Sequence, residues 1–194
     1  MSNDDWWEPG QVTGARPRRQ PVRAVVVHHT AGERGAAAVC ATLRARRLSI
    51  HFVVDFDGRV TQHADPATTV TYHAGAANSW SVGIEIVSRG VAPPTGRVRE
   101  IYEDRVHGRK VRFLRFFPEQ IKAAQVLCEE LCERFGLPLQ VPTWRGGELV
   151  KRVLTASEQR EFHGVCGHYH LSTRKVDPGT AILEELSAAW LKRA

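Results

Sequence analysis

The chain has 194 residues, 42% hydrophobic and 25% charged, an ordinary composition that excludes a disordered chain and fits one domain with a sizeable core. No apolar run approaches membrane-spanning length, so no membrane insertion is expected. The formal charge of +6 admits an anionic partner, nucleic acid or bacterial cell wall, but the arginine and lysine clusters are not interleaved with aromatics as in proteins that stack single-stranded bases.

Residues 1–21 are polar and rich in Pro, Gly and Arg, so they read as an extended arm whose Trp6 and Trp7 could tuck onto the surface of a domain spanning 22–194. The first residues have neither a basic n-region nor an apolar h-region. The expectation is therefore a chain without a signal peptide, cytoplasmic as synthesised. Val22–Gly32 then reads VRAVVVHHTAG, a β-branched run typical of a strand buried on both faces. It ends in His28 and His29. Imidazoles at the end of a rigid strand can bind a metal; they can equally form a hydrogen-bonded pair where strand meets loop.

Glu33–Arg47 is rich in Ala and Arg and predicts a helix, with Ala36, Val39, Cys40 and Leu43 in one stripe. His51–Phe56 and Arg59–Gln62 flank Asp57-Gly58, a hairpin signal. Thr68–His73 predicts a short strand, and Ser81–Val87 a further strand that is apolar except for Glu85. An acid inside such a strand costs free energy unless it is paired, with a buried arginine for example, or has a chemical task. Glu85 is thus a candidate site residue.

Residues 88–117 carry Pro93-Pro94, several glycines and mixed charge, and read as a long excursion with a weak hairpin around His107-Gly108. Pro118–Phe135, with Pro at its start and Gly136 after its end, is the clearest helix; Ile121, Ala124, Leu127, Cys128, Leu131 and Phe135 line one face. Glu148–Leu154 predicts a short helix, Gly164–Gly167 a brief strand delivering His168, and Thr180–Arg193 a packing helix with Ile182, Leu183, Leu186, Trp190 and Leu191. Cys40, Cys128, Cys132 and Cys166 are too few and scattered for a disulfide scaffold and suit buried positions in a reducing compartment. The order of elements predicts a single α/β domain: a central mixed β-sheet flanked by α-helices.

Four stretches, in this order and spacing, resemble the zinc-dependent N-acetylmuramoyl-L-alanine amidases of the amidase-2 type, a superfamily that includes phage amidase-lysozymes and peptidoglycan recognition proteins. They are His28-His29-Thr30-Ala31-Gly32; His51–Asp55 with Asp57-Gly58; His73-Ala74-Gly75 through Ser81–Glu85; and Gly167-His168 through Arg174-Lys175-Val176-Asp177-Pro178-Gly179. The resemblance covers about residues 22–190 and implies a fold of the peptidoglycan-recognition type. It also implies one Zn2+ held by His28, His168 and Asp177, catalytic roles for Glu85 and Lys175, and a substrate-cleft position for His73. Two imidazoles and a carboxylate leave a fourth tetrahedral position open, the arrangement of a catalytic zinc site. Arg174 is an alternative to Lys175 as the cation.

The substrate implied is peptidoglycan or a muropeptide, cut at the amide between N-acetylmuramic acid and L-alanine. Two roles follow: an endolysin-type enzyme acting on the wall once released by lysis, or a cytoplasmic recycler of soluble anhydro-muropeptides. A peptidoglycan-binding module without catalysis is the reading of another class; its usual sign, a lost zinc ligand, is missing here. No nucleic-acid partner and a monomer are expected. The sequence departs from some branches at Ile50, where they carry tyrosine, and at His170, where an acid is common.

Overall fold

The computed structural model describes residues 15–32, 34–88 and 99–192. Trp6 and Trp7, and the first part of the 88–117 stretch, lie outside the described residues. The elements run β1 (Arg16–Pro17), β2 (Ala24–His29), α1 (Gly35–Ala45), β3 (Phe52–Val54), β4 (Val60–Gln62), β5 (Thr69–Val70), a 3-10 segment Gly75–Trp80 and β6 (Ser81–Ile86). Then come β7 (Ile101–Val106), β8 (Arg109–Leu114), α2 (Pro118–Phe135), α3 (Ala156–Glu161), β9 (Gly164–Gly167), a 3-10 turn His168–His170 and α4 (Ala181–Leu191). None of these helices is long and apolar enough to cross a membrane.

Five strands form one mixed sheet in the order β4-β3-β6-β2-β9. β2 pairs in parallel with both β6 and β9, β6 pairs in parallel with β3, and only β4 is antiparallel. The parallel register explains the run Ala24-Val25-Val26-Val27, fully buried because both faces are covered. On one face Val25, Val27, Val82, Ile84 and Ile86 meet α2, α4 and the β7–β8 hairpin, through Leu127, Leu131, Leu183, Leu186 and Phe113. On the other, Val53 and Ile50 pack on Ala36, Val39 and Cys40 of α1. Burying a Val or Ile side chain in this way contributes about 1.5–3 kcal/mol.

Most elements lie close to their expected places. α2 starts at Pro118, where the missing N–H costs nothing, and stops at Gly136, whose φ of 62° is the left-handed cap glycine adopts freely. The turn of the β7–β8 hairpin is at His107-Gly108. The four cysteines are buried. Three expectations change. Glu148–Leu154 is not helical: the Val150 N–H goes to Pro142 O, the Lys151 carbonyl accepts from His107 N–H, and the Val153 N–H goes to the His107 ring. Those long-range bonds take the groups a helix would have paired internally. The helix lies later, at α3, where Thr155 and Glu158 form a capping box. Thr68–His73 shortens to the two-residue β5, which pairs with β1 outside the main sheet. Leu191, expected in the packing face of α4, is 73% exposed.

Arg18 fixes the segment that enters the domain. Its guanidinium donates to the carbonyls of Pro66, Thr69, Ser79 and Ser81. Beneath it His51 is fully buried, Nδ1 accepting from Gly83 N–H and from the Thr71 hydroxyl, and Nε2–H donating to Thr69 O. Both nitrogens are satisfied by the neutral ring, and burial pushes its pKa down to about 3, the nearby Arg18 charge helping and the Thr69 carbonyl opposing. The unfolded chain, with histidine near ~6.5, therefore takes up a proton that the fold refuses as pH drops towards 3. Stability from this group is complete above about pH 6.5 and is lost below it, by up to ~1.4 kcal/mol per pH unit. Denaturant unfolding between pH 7 and 4 should show a shallower stability slope for His51→Gln than for the parent chain; equal slopes would refute the assignment.

Candidate metal centre and cleft

The parallel strands end at one edge of the sheet, where open α/β sheets place their ligand sites. There β2 delivers His28, β6 delivers Glu85 directly beside it in register, and β9 runs into His168. The loop after His168 returns Asp177, whose carbonyl accepts from Tyr169 N–H. Three distant pieces of chain thus meet in a cleft of about 630 Å³, lined also by His73, Lys175 and the α1-side residues Arg34, Val39, Leu43 and Arg46.

Nδ1 of His28, Nδ1 of His168 and Oδ2 of Asp177 form a triangle with sides of 3.0, 3.1 and 3.0 Å. Among the described residues these three are the one group of His, Cys, Asp and Glu side chains that could hold a metal ion. The tautomer of His28 decides what sits at that corner. Its Nε2 is 3.0 Å from Nδ1 of His73, whose Nε2 lies 3.3 Å from Ser81 Oγ; the Ser81 hydroxyl donates to Ala77 O. With the serine proton committed to Ala77, the His73 Nε2–H donates to Ser81 and the His28 Nε2–H donates to His73. His28 Nδ1 is then a bare lone pair facing a carboxylate oxygen. Acceptor against acceptor in a buried site is unfavourable unless a cation lies between them. The triangle is also close in size to a face of a tetrahedron with ~2.0–2.1 Å bonds, whose edges are ~3.3 Å. The donor set therefore fits zinc.

Burial pushes the pKa of His28 down to about 4, the nearby Asp177 carboxylate opposing, so the ring is neutral near pH 7, as a metal ligand must be. Burial alone would raise Asp177; the imidazoles of His168 and His28 beside it instead hold it well below the usual carboxylate range.

Glu85 shows the opposite behaviour. Burial first, then the Asp177 charge, pushes its carboxyl up to about 8, with Lys175 and Arg46 opposing. Oε2 is buried without a hydrogen-bond partner among the described residues, and no arginine there pairs with Glu85. Lys175 is exposed at the cleft edge, and Arg174 beside it does not line the cleft. His73 lines the cleft, but both its ring nitrogens are engaged within the protein, by His28 and Ser81. His29 Nδ1 is buried without a partner among the described residues. His170 is structural in its contacts: Nδ1 accepts from Gly167 N–H and Nε2–H donates to Val150 O.

Sequence reasoning missed the relay behind His28. Its signal was Gly83: a Cβ there would lie 2.7 Å from two atoms of the His73 ring and 2.5 Å from Ile50 Cδ1, so the strand must be bare for the ring to lie against it.

The fold is shared with several solved structures. AmiD of E. coli, in complex with anhydro-N-acetylmuramic acid-L-Ala-D-gamma-Glu-L-Lys, is 23% identical over 89% of this chain, with a TM-score of 0.57. This chain spans 60% of the length of that one. The N-acetylmuramoyl-L-alanine amidase LysC of Clostridium intestinale URNW is 14% identical, covering 98% of this chain and 95% of its own, with a TM-score of 0.55. The Ph2119 endolysin of Thermus scotoductus MAT2119 bacteriophage is 19% identical, with coverages of 93% and 92% and a TM-score of 0.52. Comparison with curated proteins returns no match. At sequence level, a family profile described as N-acetylmuramoyl-L-alanine amidase matches residues 18–180, which takes in β2, Glu85, His168 and Asp177, and the chain belongs to that family, Amidase_2.

Proposed function

We propose that this protein is a zinc-dependent N-acetylmuramoyl-L-alanine amidase that cuts peptidoglycan between N-acetylmuramic acid and L-alanine. The observation that carries the reading is the triangle of His28, His168 and Asp177 ligand atoms opening into the same cleft as a buried Glu85 whose Oε2 has no hydrogen-bond partner among the described residues. A zinc ion there would supply Lewis acidity, the kind that brings the pKa of water from ~16 towards ~7. His28, His168 and Asp177 would hold it, and His73 keeps the Nδ1 lone pair of His28 available.

Glu85 takes the proton of the attacking water and returns it to the nitrogen of the leaving L-alanine. A carboxyl whose pKa stands well above the usual value is suited to both halves of that transfer. The Lys175 ammonium at the cleft edge stabilises the oxyanion of the tetrahedral intermediate. The buried Asp177 is not a competing base: its Oδ2 lies beside the two imidazoles, where it would be a metal ligand.

The wall itself is the substrate we favour. Arg34, Arg46 and Lys175 give the open cleft a cationic rim, and the chain carries a net charge of +6, both of which draw it to an anionic polymer. Such an enzyme acts as an endolysin once released by lysis.

Purified sacculi incubated with the protein should release new L-alanine amino termini, a chelator should stop the release, and zinc should restore it. Cleavage of soluble anhydro-muropeptides alone would replace wall lysis by recycling, and cleavage of neither by zinc-loaded protein would leave a binding module. Glu85→Gln should retain zinc yet lose at least ~100-fold in rate; undiminished turnover would remove Glu85 from the mechanism. Gly83→Ala should displace the His73 ring and weaken zinc ~10–100-fold in competition with a chromophoric chelator. Unchanged affinity would show that the His73 contact does not tune the metal.

A further inference from the structure

The loop that carries Lys175 and Asp177 has few backbone bonds of its own: Lys175 N–H to Ser172 O at 3.2 Å, Gly179 N–H to Val176 O at 3.0 Å, and the Asp177 carbonyl accepting from Tyr169 N–H. The β7–β8 hairpin supplies contacts on both sides of Asp177. Downstream, Gly179 lies so close that a Cβ would be 3.1 Å from Phe113 and would overlap the Tyr102 hydroxyl. The Thr180 hydroxyl donates to Asp104 Oδ2, which also takes a 2.7 Å bond from Lys151 Nζ.

Upstream, the contact is the hairpin tip. His107 sits at φ 53° beside Gly108 at φ 73°, and its imidazole reaches the loop. Its Nε2–H donates to the Lys175 carbonyl at 2.9 Å, its Nδ1 accepts from Val153 N–H at 3.2 Å, and its own backbone N–H donates to Lys151 O at 2.8 Å. The ring thus ties the tip to two separate segments through both nitrogens. Core packing of the hairpin rests on other residues, chiefly Val106, Phe113 and Leu114. A ring placed only for packing would not need two hydrogen bonds at a half-exposed position.

We propose that His107 is a positioning residue of the active site. It holds the Lys175 backbone so that the ammonium stays at the cleft and Asp177 stays in the metal triangle. This rests on the roles given above to Lys175 and Asp177. The hairpin is then part of the catalytic apparatus without touching substrate, and the reaction depends on its tip.

Amide hydrogen exchange tests the brace without reference to turnover. In His107→Ala, exchange in 172–180 should accelerate about tenfold, the order of one lost hydrogen bond, with and without zinc, while exchange in α2 is unchanged. His107→Gln, whose amide can still donate to the Lys175 carbonyl, should stay within about twofold of the parent chain. On a muropeptide substrate, His107→Ala should lower kcat about tenfold with KM within about twofold, and should cost less in a Lys175→Ala background than in the parent chain. Unaltered exchange in 172–180, equal damage from Ala and Gln, or additive losses in the double variant would each overturn the proposal. If the parent chain hydrolyses nothing, the amidase reading falls, and the exchange measurement still decides whether His107 braces the loop.

Discussion

The site depends on one constraint, the convergence of two imidazole Nδ1 atoms and a carboxylate oxygen within about 3 Å of one another in a buried place. Three acceptors do not crowd together in a low-dielectric pocket by preference. The scaffold enforces it from several directions. Parallel pairing of β2 with β6 and β9 fixes where His28 and His168 leave the sheet, and the hydrogen bond from His28 to His73 fixes which nitrogen points inward. Strands position such groups more tightly than loops do: His28 lies in β2, His168 follows directly on the end of β9, and Asp177 comes from the loop beyond. That is why the loop is the part that needs support from outside the sheet.

Two buried acids in one cleft end in opposite states. Asp177 is held well below the usual carboxylate range by the two imidazoles beside it; Glu85 is pushed up by burial and by the Asp177 charge, and its Oε2 has no hydrogen-bond partner among the described residues. Each charge raises the cost of the other, and the asymmetry in partners decides which one yields. Separated pKa values of this kind divide labour between neighbouring carboxyls: one suits a fixed ligand, the other a proton carrier. The same logic bears on the missing partner of Glu85 Oε2 among the described residues. A partner arginine would make the strand cheaper to bury and would leave the carboxyl useless as a proton carrier near neutral pH.

Much of this was legible in the sequence because the relevant signals are local. A β-branched run ending in His28-His29, a single acid in the Ser81–Val87 strand, and Pro118 with Gly136 around an apolar stripe each follow from short-range rules, and the structure places strand ends and helix ends close to them. What was illegible depends on chain-distant partners. Glu148–Leu154 has local features of a helix, yet its backbone groups bond to Pro142 and His107. Glycine at 83 reads as a weak strand residue until two rings, His51 and His73, are seen lying against that strand. α3 was the exception: its capping box, Thr155 to Glu158, was in plain view, but none of its six residues is buried, so no apolar period drew attention to it.

The hairpin 101–114 carries that lesson into function. Its strands pair with each other and with no strand of the main sheet, so nothing in the sheet topology requires it. Its inward residues, Tyr102, Asp104, Phe113 and the tip His107, all bear on the segment from Lys175 to Thr180 or on Lys151 beside it. A sheet edge can hold His28 by register and start His168 one residue past the end of β9. A carboxylate on a returning loop has no register, and its position must be set by whatever packs outside it. An excursion that looks dispensable in sequence therefore supplies the restraint the central sheet cannot.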